Sequence, residues 1–427
     1  MPSGRGALRR IGRWLKPLLD PDGDDRAQRE ADLAKRVGQI GKASSDLTED
    51  VARLSRRVEA FDRAWPADLR KAIDELRQLT RRQSAVGDRL VRTASARGER
   101  EAVRERVMRR LQHLARRDGP IIVGPWTGEV GFELLYWAPF VRFVVRKYRI
   151  HPERLTIVSR GGTAAWYGIA GAKYVDALSL VRPEEFRTLT AEDKKKQRAM
   201  RSFDRDLVRR VRTRIGGTGA SLLHPALMYS LFMPYWKQQE AISTVIEAAD
   251  FRKVAAAAPP GLSQRLPTDY VAVRLYFSDC FPDTPANRQL ASGIVASLAA
   301  QGPVVVLGPG VRLDDHEDWT PAVSREVVTL DDLMQPDTNL EVQTAAIAGA
   351  RALVSTYGGF SYLGPLCGVP TIALYSERNY FAYHLEFARM LFDAVGADPF
   401  TALPVDSLPL LQQISAIRLA PRVADHA

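Results

Sequence analysis

Residues 353–376 read Leu-Val-Ser-Thr-Tyr-Gly-Gly-Phe-Ser-Tyr-Leu-Gly-Pro-Leu-Cys-Gly-Val-Pro-Thr-Ile-Ala-Leu-Tyr-Ser, and this run leaves the chain few ways to fold locally. It predicts a buried strand, a glycine turn at Gly358-Gly359, a short helix and a second buried strand. A unit of that kind aims backbone N–H groups at an anion, so a phosphorylated ligand is the first expectation.

The pattern recurs upstream. After Asp118-Gly119-Pro120, Ile121-Ile122-Val123 predicts a short buried strand, followed by loop 124–131, an apolar helix over 132–148 and a strand over 155–158 that ends in Ser159-Arg160-Gly161-Gly162. This is a βαβ opening whose working loops lie at the strand C-terminal ends. Residues 119–258 are therefore expected to form a Rossmann-like domain. An Ala- and Pro-rich linker at 255–261 leads to a second series: strand 270–276, helix 287–300, strands 304–307 and 327–330, helix 340–348 and the run at 353–376. Strands separated by helices predict a parallel sheet, and a second Rossmann-like domain with a C-terminal tail is expected over 265–427. At 427 residues, with 45% hydrophobic content, the chain is long enough for two or three packed cores. The fold class is α/β: two Rossmann-like domains facing across a cleft, preceded by an α-helical coiled-coil region.

That front region carries its own signal. Leu33, Val37, Ile40, Ser44, Leu47, Val51, Leu54, Val58, Phe61 and Trp65 alternate steps of four and three, the seam of a coiled coil, with Pro66 expected to interrupt it. A weaker repeat follows at Leu69, Ile73 and Leu76, and another apolar face at Val103, Val107, Leu111 and Leu114. Residues 25–117 are read as this helical region, either a hairpin folded on itself or a homo-oligomer contact through 33–65. Residues 1–24 form a basic segment in which Leu8, Ile11, Trp14, Leu15, Leu18 and Leu19 line one side of a short helix. It is either a flexible basic end or a peripheral contact with an anionic membrane surface.

Charge follows the same division. Residues 1–118 hold 29 Lys and Arg against 19 Asp and Glu, which is ten of the chain's net +11. What that charge attracts is then not the main ligand of the α/β part. Nucleic-acid binding by the arginine-rich helices is a ranked-down reading, because acidic residues are interspersed and the heptads explain the helices. Cys280 and Cys367 lie far apart without a C-x-x-C partner, suggesting neither a disulfide framework nor a zinc site. No apolar run is long enough to cross a bilayer and the N-terminus lacks a signal-peptide core, so a cytoplasmic location is expected, with peripheral attachment at the inner membrane face as its variant.

The run at 353–376 resembles the C-terminal half of GT-B glycosyltransferases, in which a Gly-Gly or Gly-Ser turn before a helix holds the diphosphate of a nucleotide-sugar and a Gly-x-Pro leads into the next strand. The resemblance covers about residues 120–400. It implies a nucleotide-sugar as co-substrate, no cofactor and no metal, with Thr356, Tyr357, Gly358, Gly359, Phe360 and Ser361 as donor-binding candidates. Small residues there let backbone approach phosphate, and Ser361 adds a hydroxyl; a turn made only for tight packing is the alternative. Arg274 ends the strand Val271-Ala272-Val273-Arg274 and is similar to the strand-plus-arginine element of fucosyltransferase-like GT-B enzymes, which implies contact with the donor phosphate. The His-x-Arg-Arg form of those enzymes is absent, so the sugar is not specified. A structural ion pair is the other reading of this arginine.

The loop Gly128-Glu129-Val130-Gly131-Phe132-Glu133 is similar to the Gly-x-x-Gly-Asn loop of the same enzymes, with Phe132 in place of asparagine. Glu129 is the preferred base for an acceptor hydroxyl; Glu133, in the first helical turn, is accounted for by the helix dipole alone. Gly128, Trp126 and Trp166 are acceptor-binding candidates, the two indoles as stacking faces near loops. The acidic cluster 314–318 follows Gly308 and Gly310 and reads as a donor-side loop, in which His316 touches base, ribose or phosphate, or as a solvated loop. The E-x7-E pattern of many retaining GT-B enzymes is not met, which favours inversion. No Gly-x-Gly-x-x-Gly follows the first strand, which disfavours a dehydrogenase.

The expected function is transfer of a sugar from a nucleotide-sugar to a glycan or lipid-linked acceptor, in surface polysaccharide synthesis. Its rival is a non-catalytic coiled-coil scaffold carrying a degenerate GT-B fold.

Overall fold

Four short strands form the first sheet: β1 (Ile121–Val123), β2 (Leu155–Ser159), β3 (Lys173–Asp176) and β4 (Ser221–Leu223). They run in the order β3-β2-β1-β4, and every pair is parallel. The central strands β1 and β2 are buried along their whole length, as a parallel sheet covered on both faces requires, whereas the edge strands begin with the half-buried or exposed Lys173 and Ser221. The computed structural model describes residues 42, 46, 48–53, 67–191, 197–217, 219–308, 317–321, 324–377, 382–397 and 399–407.

The later series supplies β5 (Val271–Arg274), β6 (Tyr276–Phe277), β7 (Val304–Val306), β8 (Glu317–Asp318), β9 (Val327–Thr329), β10 (Ala352–Thr356), β11 (Thr371–Tyr375) and β12 (Phe400–Pro404). Six of these make a parallel sheet in the order β12-β11-β10-β5-β7-β9. Chain order runs outward from β5 through β7 to β9, then restarts on the other side with β10, β11 and β12. This is the doubly wound arrangement, and its switch point lies between β5 and β10. The expected single strand over 270–276 breaks at Leu275: beyond it, Tyr276 pairs antiparallel with Asp318 in a separate β6-β8 ribbon. The Tyr276 N–H reaches the Thr356 hydroxyl at 3.0 Å instead of a main-chain carbonyl.

The helix after β1 contains a π turn at Glu133–Trp137 before it continues as Ala138–Lys147, and all five residues of that turn are buried. Its aromatic side chains enter a core shared by both sheets, in which Trp126, Tyr136, Trp137, Phe140, Tyr229 and Phe232 meet Leu340, Leu363 and Phe387. The halves also bond directly. The Trp166 indole donates to Thr344 Oγ1 at 2.9 Å, the Glu341 N–H to Gly161 O at 2.9 Å and the Val254 N–H to Leu366 O at 2.7 Å, while Tyr136 and His384 share a 2.7 Å bond.

A 50-residue helix, Ala67–Arg116, precedes β1. The chain divides into two units, Met1–Ala102 and Val103–Ala427. In the first, Leu76 and Leu79 are exposed. In the second, Val107, Leu111 and Leu114 sit on one face by their steps of four and three, and are buried in the α/β core. Among the described residues no helix is long and apolar enough to cross a membrane. Segment 1–24 lies outside the described residues, as do all of seam 33–65 except 42, 46 and 48–53, Gly310, His316 and the tail from 408.

Candidate functional site

The switch point of the six-stranded sheet gathers three of the expected elements. Arg274 ends β5 and pairs in register with Ser355 of β10; Gly358 and Gly359 follow β10; half-buried Gly308 follows β7, the strand on the other side of β5. The Arg274 guanidinium lies 5.0 Å from the Phe360 ring centre and 5.2 Å from that of Tyr276, so two aromatic faces hold it beside the glycine turn. It is 4% exposed, its Nη1 pairs with Asp318 Oδ1 at 2.5 Å, and its Nε–H has no hydrogen-bond partner among the described residues. A guanidinium taken out of water with one N–H unpaired has capacity for a further anion.

The turn itself is set by space. Gly358 has φ +154°, and a Cβ on it would run into the Tyr276 hydroxyl. A Cβ on Gly359 would come within 2.5 Å of Gly131 N, and one on Gly131 within 3.0 Å of Gly359 Cα. The loop after β1 and the turn after β10 therefore touch backbone to backbone. Gly359→Ala is expected to lower stability by about 2 kcal/mol, since neither main chain can yield as a side chain does. Gly308→Ala, whose added Cβ meets nothing among the described residues closer than Asp331 Oδ1 at 3.6 Å, should change it by less than about 0.5 kcal/mol, both read from urea unfolding midpoints.

The hydroxyls expected to face a donor turn inward. Thr356 Oγ1 accepts from Tyr276 N at 3.0 Å and donates to Tyr276 O at 2.9 Å, which joins β10 to the β6 extension. Ser361 Oγ donates back to Gly358 O at 2.7 Å and accepts from Gly358 N at 3.2 Å. Tyr357 accepts from the Tyr362 hydroxyl at 2.9 Å. These three hydroxyls, including that of Ser361, bond within the turn or to the β6 extension, and Gly358, Gly359 and Phe360 lie beside Arg274.

The acceptor platforms are also corrected. Trp126 is fully buried, stacked between Trp137 at 6.0 Å and Tyr229 at 6.4 Å, and presents no free face. Trp166 is 2% exposed, with its indole N–H bonded to Thr344. Both lie near loops in sequence, but both are buried against other elements of the fold. Gly128 is small because a Cβ would come 2.9 Å from the Trp126 ring.

Glu129 and Glu133 part company. Glu129 is exposed at the start of the helical segment, two residues from the Gly131–Gly359 contact. Glu133 is fully buried, and more than a helix dipole accounts for it. Its Oε1 accepts from Ser159 Oγ at 2.5 Å, Tyr167 OH at 2.7 Å and Thr163 Oγ1 at 3.2 Å, while Oε2 has no partner among the described residues. Burial pushes its carboxyl up to about 7, against those three hydroxyls and the charge of Arg160, which hold it down. Through Thr163 and the Tyr174 hydroxyl the network reaches Asp176, also pushed up to about 7 by burial, although the Gly162 and Leu178 N–H groups bond to it.

Loop 124–128 is braced from below. Gln197 accepts from Thr127 N at 3.0 Å and donates to Pro125 O at 2.9 Å; Arg201 donates to Thr127 Oγ1 at 2.5 Å; Arg160 Nη2 donates to Gly128 O at 2.6 Å. Asp204 anchors this set. Its burial would raise the carboxyl, but hydrogen bonds from His224 and Arg201 and the Arg201 charge hold it at about 2. Arg160, 6% exposed and with its Nε–H unpartnered, was not among the residues singled out in the sequence. The signal was there: it follows β2 as directly as Arg274 closes β5. Among the described residues no group of His, Cys, Asp or Glu side chains is placed to hold a metal ion.

No protein-family model matches the sequence, and no curated protein matches it. Solved structures that resemble the chain include the Escherichia coli ADP-heptose LPS heptosyltransferase II, at 10% identity over 60% of this chain and 85% of that one, with a TM-score of 0.35. A family 9 glycosyl transferase from Veillonella parvula shares 15% identity over 71% and 91%, at 0.36. The glycosyltransferase SnogD from Streptomyces nogalater shares 14% over 68% and 87%, at 0.30. All three are glycosyltransferases, yet scores this low do not establish a shared fold; the two parallel, switch-pointed sheets rest on their own strand order.

Proposed function

We propose that the chain is a GT-B-type glycosyltransferase that binds a nucleotide-sugar at the β5/β10 switch point and transfers the sugar to a glycan or lipid-linked acceptor. The observation that carries this reading is Arg274, a buried guanidinium with an unpaired N–H, held between Tyr276 and Phe360 beside the Gly358-Gly359 turn. Departure of a nucleoside diphosphate builds negative charge on the leaving oxygen, and a fixed cation in a site shielded from water stabilises it. Glu129, exposed on the loop that touches the turn, is the proton acceptor for the acceptor hydroxyl, in an inverting transfer that uses no metal. Gly308, with Gly310 and His316 further along the chain, extends the donor side. The reading places the enzyme in the cytoplasm in surface polysaccharide synthesis, with segment 1–24 against the inner membrane face and residues 33–65 joining copies.

One observation favours the rival reading of a scaffold with a degenerate site. Asp318 already pairs with Arg274, as a structural ion pair would. The two separate in a thermal-shift screen of the full chain against UDP, GDP, CDP and dTDP. A transferase is expected to show a selective rise in Tm of several degrees with one of them at millimolar concentration. Equal, negligible shifts with all four would remove the donor reading.

A further inference from the structure

We propose that Arg160 and Glu133 form a second phosphate position on the first half of the molecule, in which the Arg160 Nε–H and a proton on Glu133 Oε2 donate to one phosphate group of the substrate. The proposal rests on the donor reading above and names the opposite wall of the same site.

Two orphaned polar atoms carry it. Glu133 is fully buried and Arg160 is 6% exposed, yet among the described residues Glu133 Oε2 and Arg160 Nε each lack a hydrogen-bond partner. As the side chains stand, neither orphan is met among the described residues: no bond joins the Arg160 Nε–H to Oε2, and a protonated Oε2 has no acceptor. Buried groups left so need an additional partner. Oε1, by contrast, already accepts three hydroxyls, which leaves a proton on this carboxyl to Oε2. Arg160 is near enough for its charge to act on Glu133, and two donors offered to one occupant fit an oxyanion, since phosphate accepts both.

Placement points the same way. Arg160 directly follows β2, so it lies at the C-terminal edge of the first sheet, where open α/β sheets bind ligands. Its Nη2 is bonded to Gly128 O, on the loop whose Gly131 abuts Gly359; Phe360, the next residue, carries Arg274 over its ring. The two buried guanidiniums thus belong to opposite halves, and each contacts a residue within three positions of one backbone contact. The groups around Glu133 allow it to keep its proton near neutral pH. Arg160 is the one charge acting to lower it, Ser159, Thr163 and Tyr167 contribute neutral hydroxyls, and Tyr174 leads to Asp176, itself raised by burial.

The test is calorimetric titration of the full chain with UDP, GDP, CDP, dTDP and inorganic pyrophosphate, alone and with the tightest nucleoside diphosphate saturating. Arg160→Met is expected to weaken that nucleotide at least about tenfold, the loss typical of a charge-assisted bond. If Arg160→Met leaves the nucleotide unchanged but abolishes pyrophosphate binding to the nucleotide-saturated protein, the phosphate belongs to the acceptor and the site stands. If it changes neither, the proposal is overturned. Arg160→Lys, which keeps the charge without the Nε–H, covers the case in which the methionine variant fails to fold, and must also bind more weakly. Wild-type affinity should fall about fivefold relative to Glu133→Gln between pH 7 and 8, as the Oε2 proton is lost; parallel curves would remove Glu133 from the site. The underlying donor reading fails separately, if Arg274→Met binds the nucleotide as tightly as wild type.

Discussion

Arg274→Met is expected to reduce donor turnover by a factor of about a hundred to a thousand, the range lost when one preorganised donor to a developing oxyanion is removed. Donor hydrolysis, measured as released nucleoside diphosphate, reports this without knowledge of the acceptor. The fold should survive. Methionine fills much of the same space between Tyr276 and Phe360, and the Asp318 side chain, 32% exposed, can turn to solvent when its partner goes. A second variant fixes the sign. If Asp318 competes with a diphosphate for the guanidinium, Asp318→Asn tightens nucleotide binding; if the pair is only a strut, the same change lowers Tm and leaves binding where it was. An Arg274→Met protein that is folded and fully active would end the proposal.

The second large effect is on stability. Glu133 titrates near 7 in the folded chain against about 4.5 when unfolded, so between those values the folded state holds the extra proton. Its contribution is fully present below about pH 4.5 and is lost as pH rises through 7, by roughly 3 kcal/mol for a shift of this size. Asp176, raised from 3.8 to about 7, acts in the same direction over the same window. Asp204, held at about 2, acts oppositely, and its contribution disappears only as pH falls from 3.8 through 2. Urea unfolding should therefore show stability declining from pH 5 to pH 8. Glu133→Gln, which cannot ionise, should remove roughly half of that decline. A wild-type protein whose midpoint rises steadily over this range would contradict the burial of both acids.

How far the sequence could be read is clearest from individual elements. β1 was legible to the residue and β7 nearly so, because strands buried on both faces of a parallel sheet are apolar throughout; β9, at the sheet edge with Val328 and Thr329 half-buried, was read from its β-branched run. β3, β4 and β12 were not singled out: each lies at an edge, is partly exposed, and carries Lys173, Ser221 or Thr401 where an inner strand has valine. Arg274 and the glycine turn were found because their types are unusual where they stand, at the end of an apolar run. Glu133 was misjudged because local pattern sees a carboxylate in a first turn; nothing within a few residues reveals that Ser159, Thr163 and Tyr167 converge on it from another strand and loop. The tryptophans failed in the opposite direction, since proximity to a loop says nothing about which way that loop closes. Asp318, in a cluster read as donor-side or solvated, acquires its meaning only from the β6-β8 ribbon that carries it to Arg274.

The meeting of Gly131 with Gly359 has a mechanical consequence. Where these main chains abut, the Val130 and Tyr362 side chains stand close by, and the two halves share one aromatic core. A seam filled in this way resists being prised apart, and the indole of Trp166 and the ring of His384, bonded across the same divide, act as dowels that keep the two faces in register.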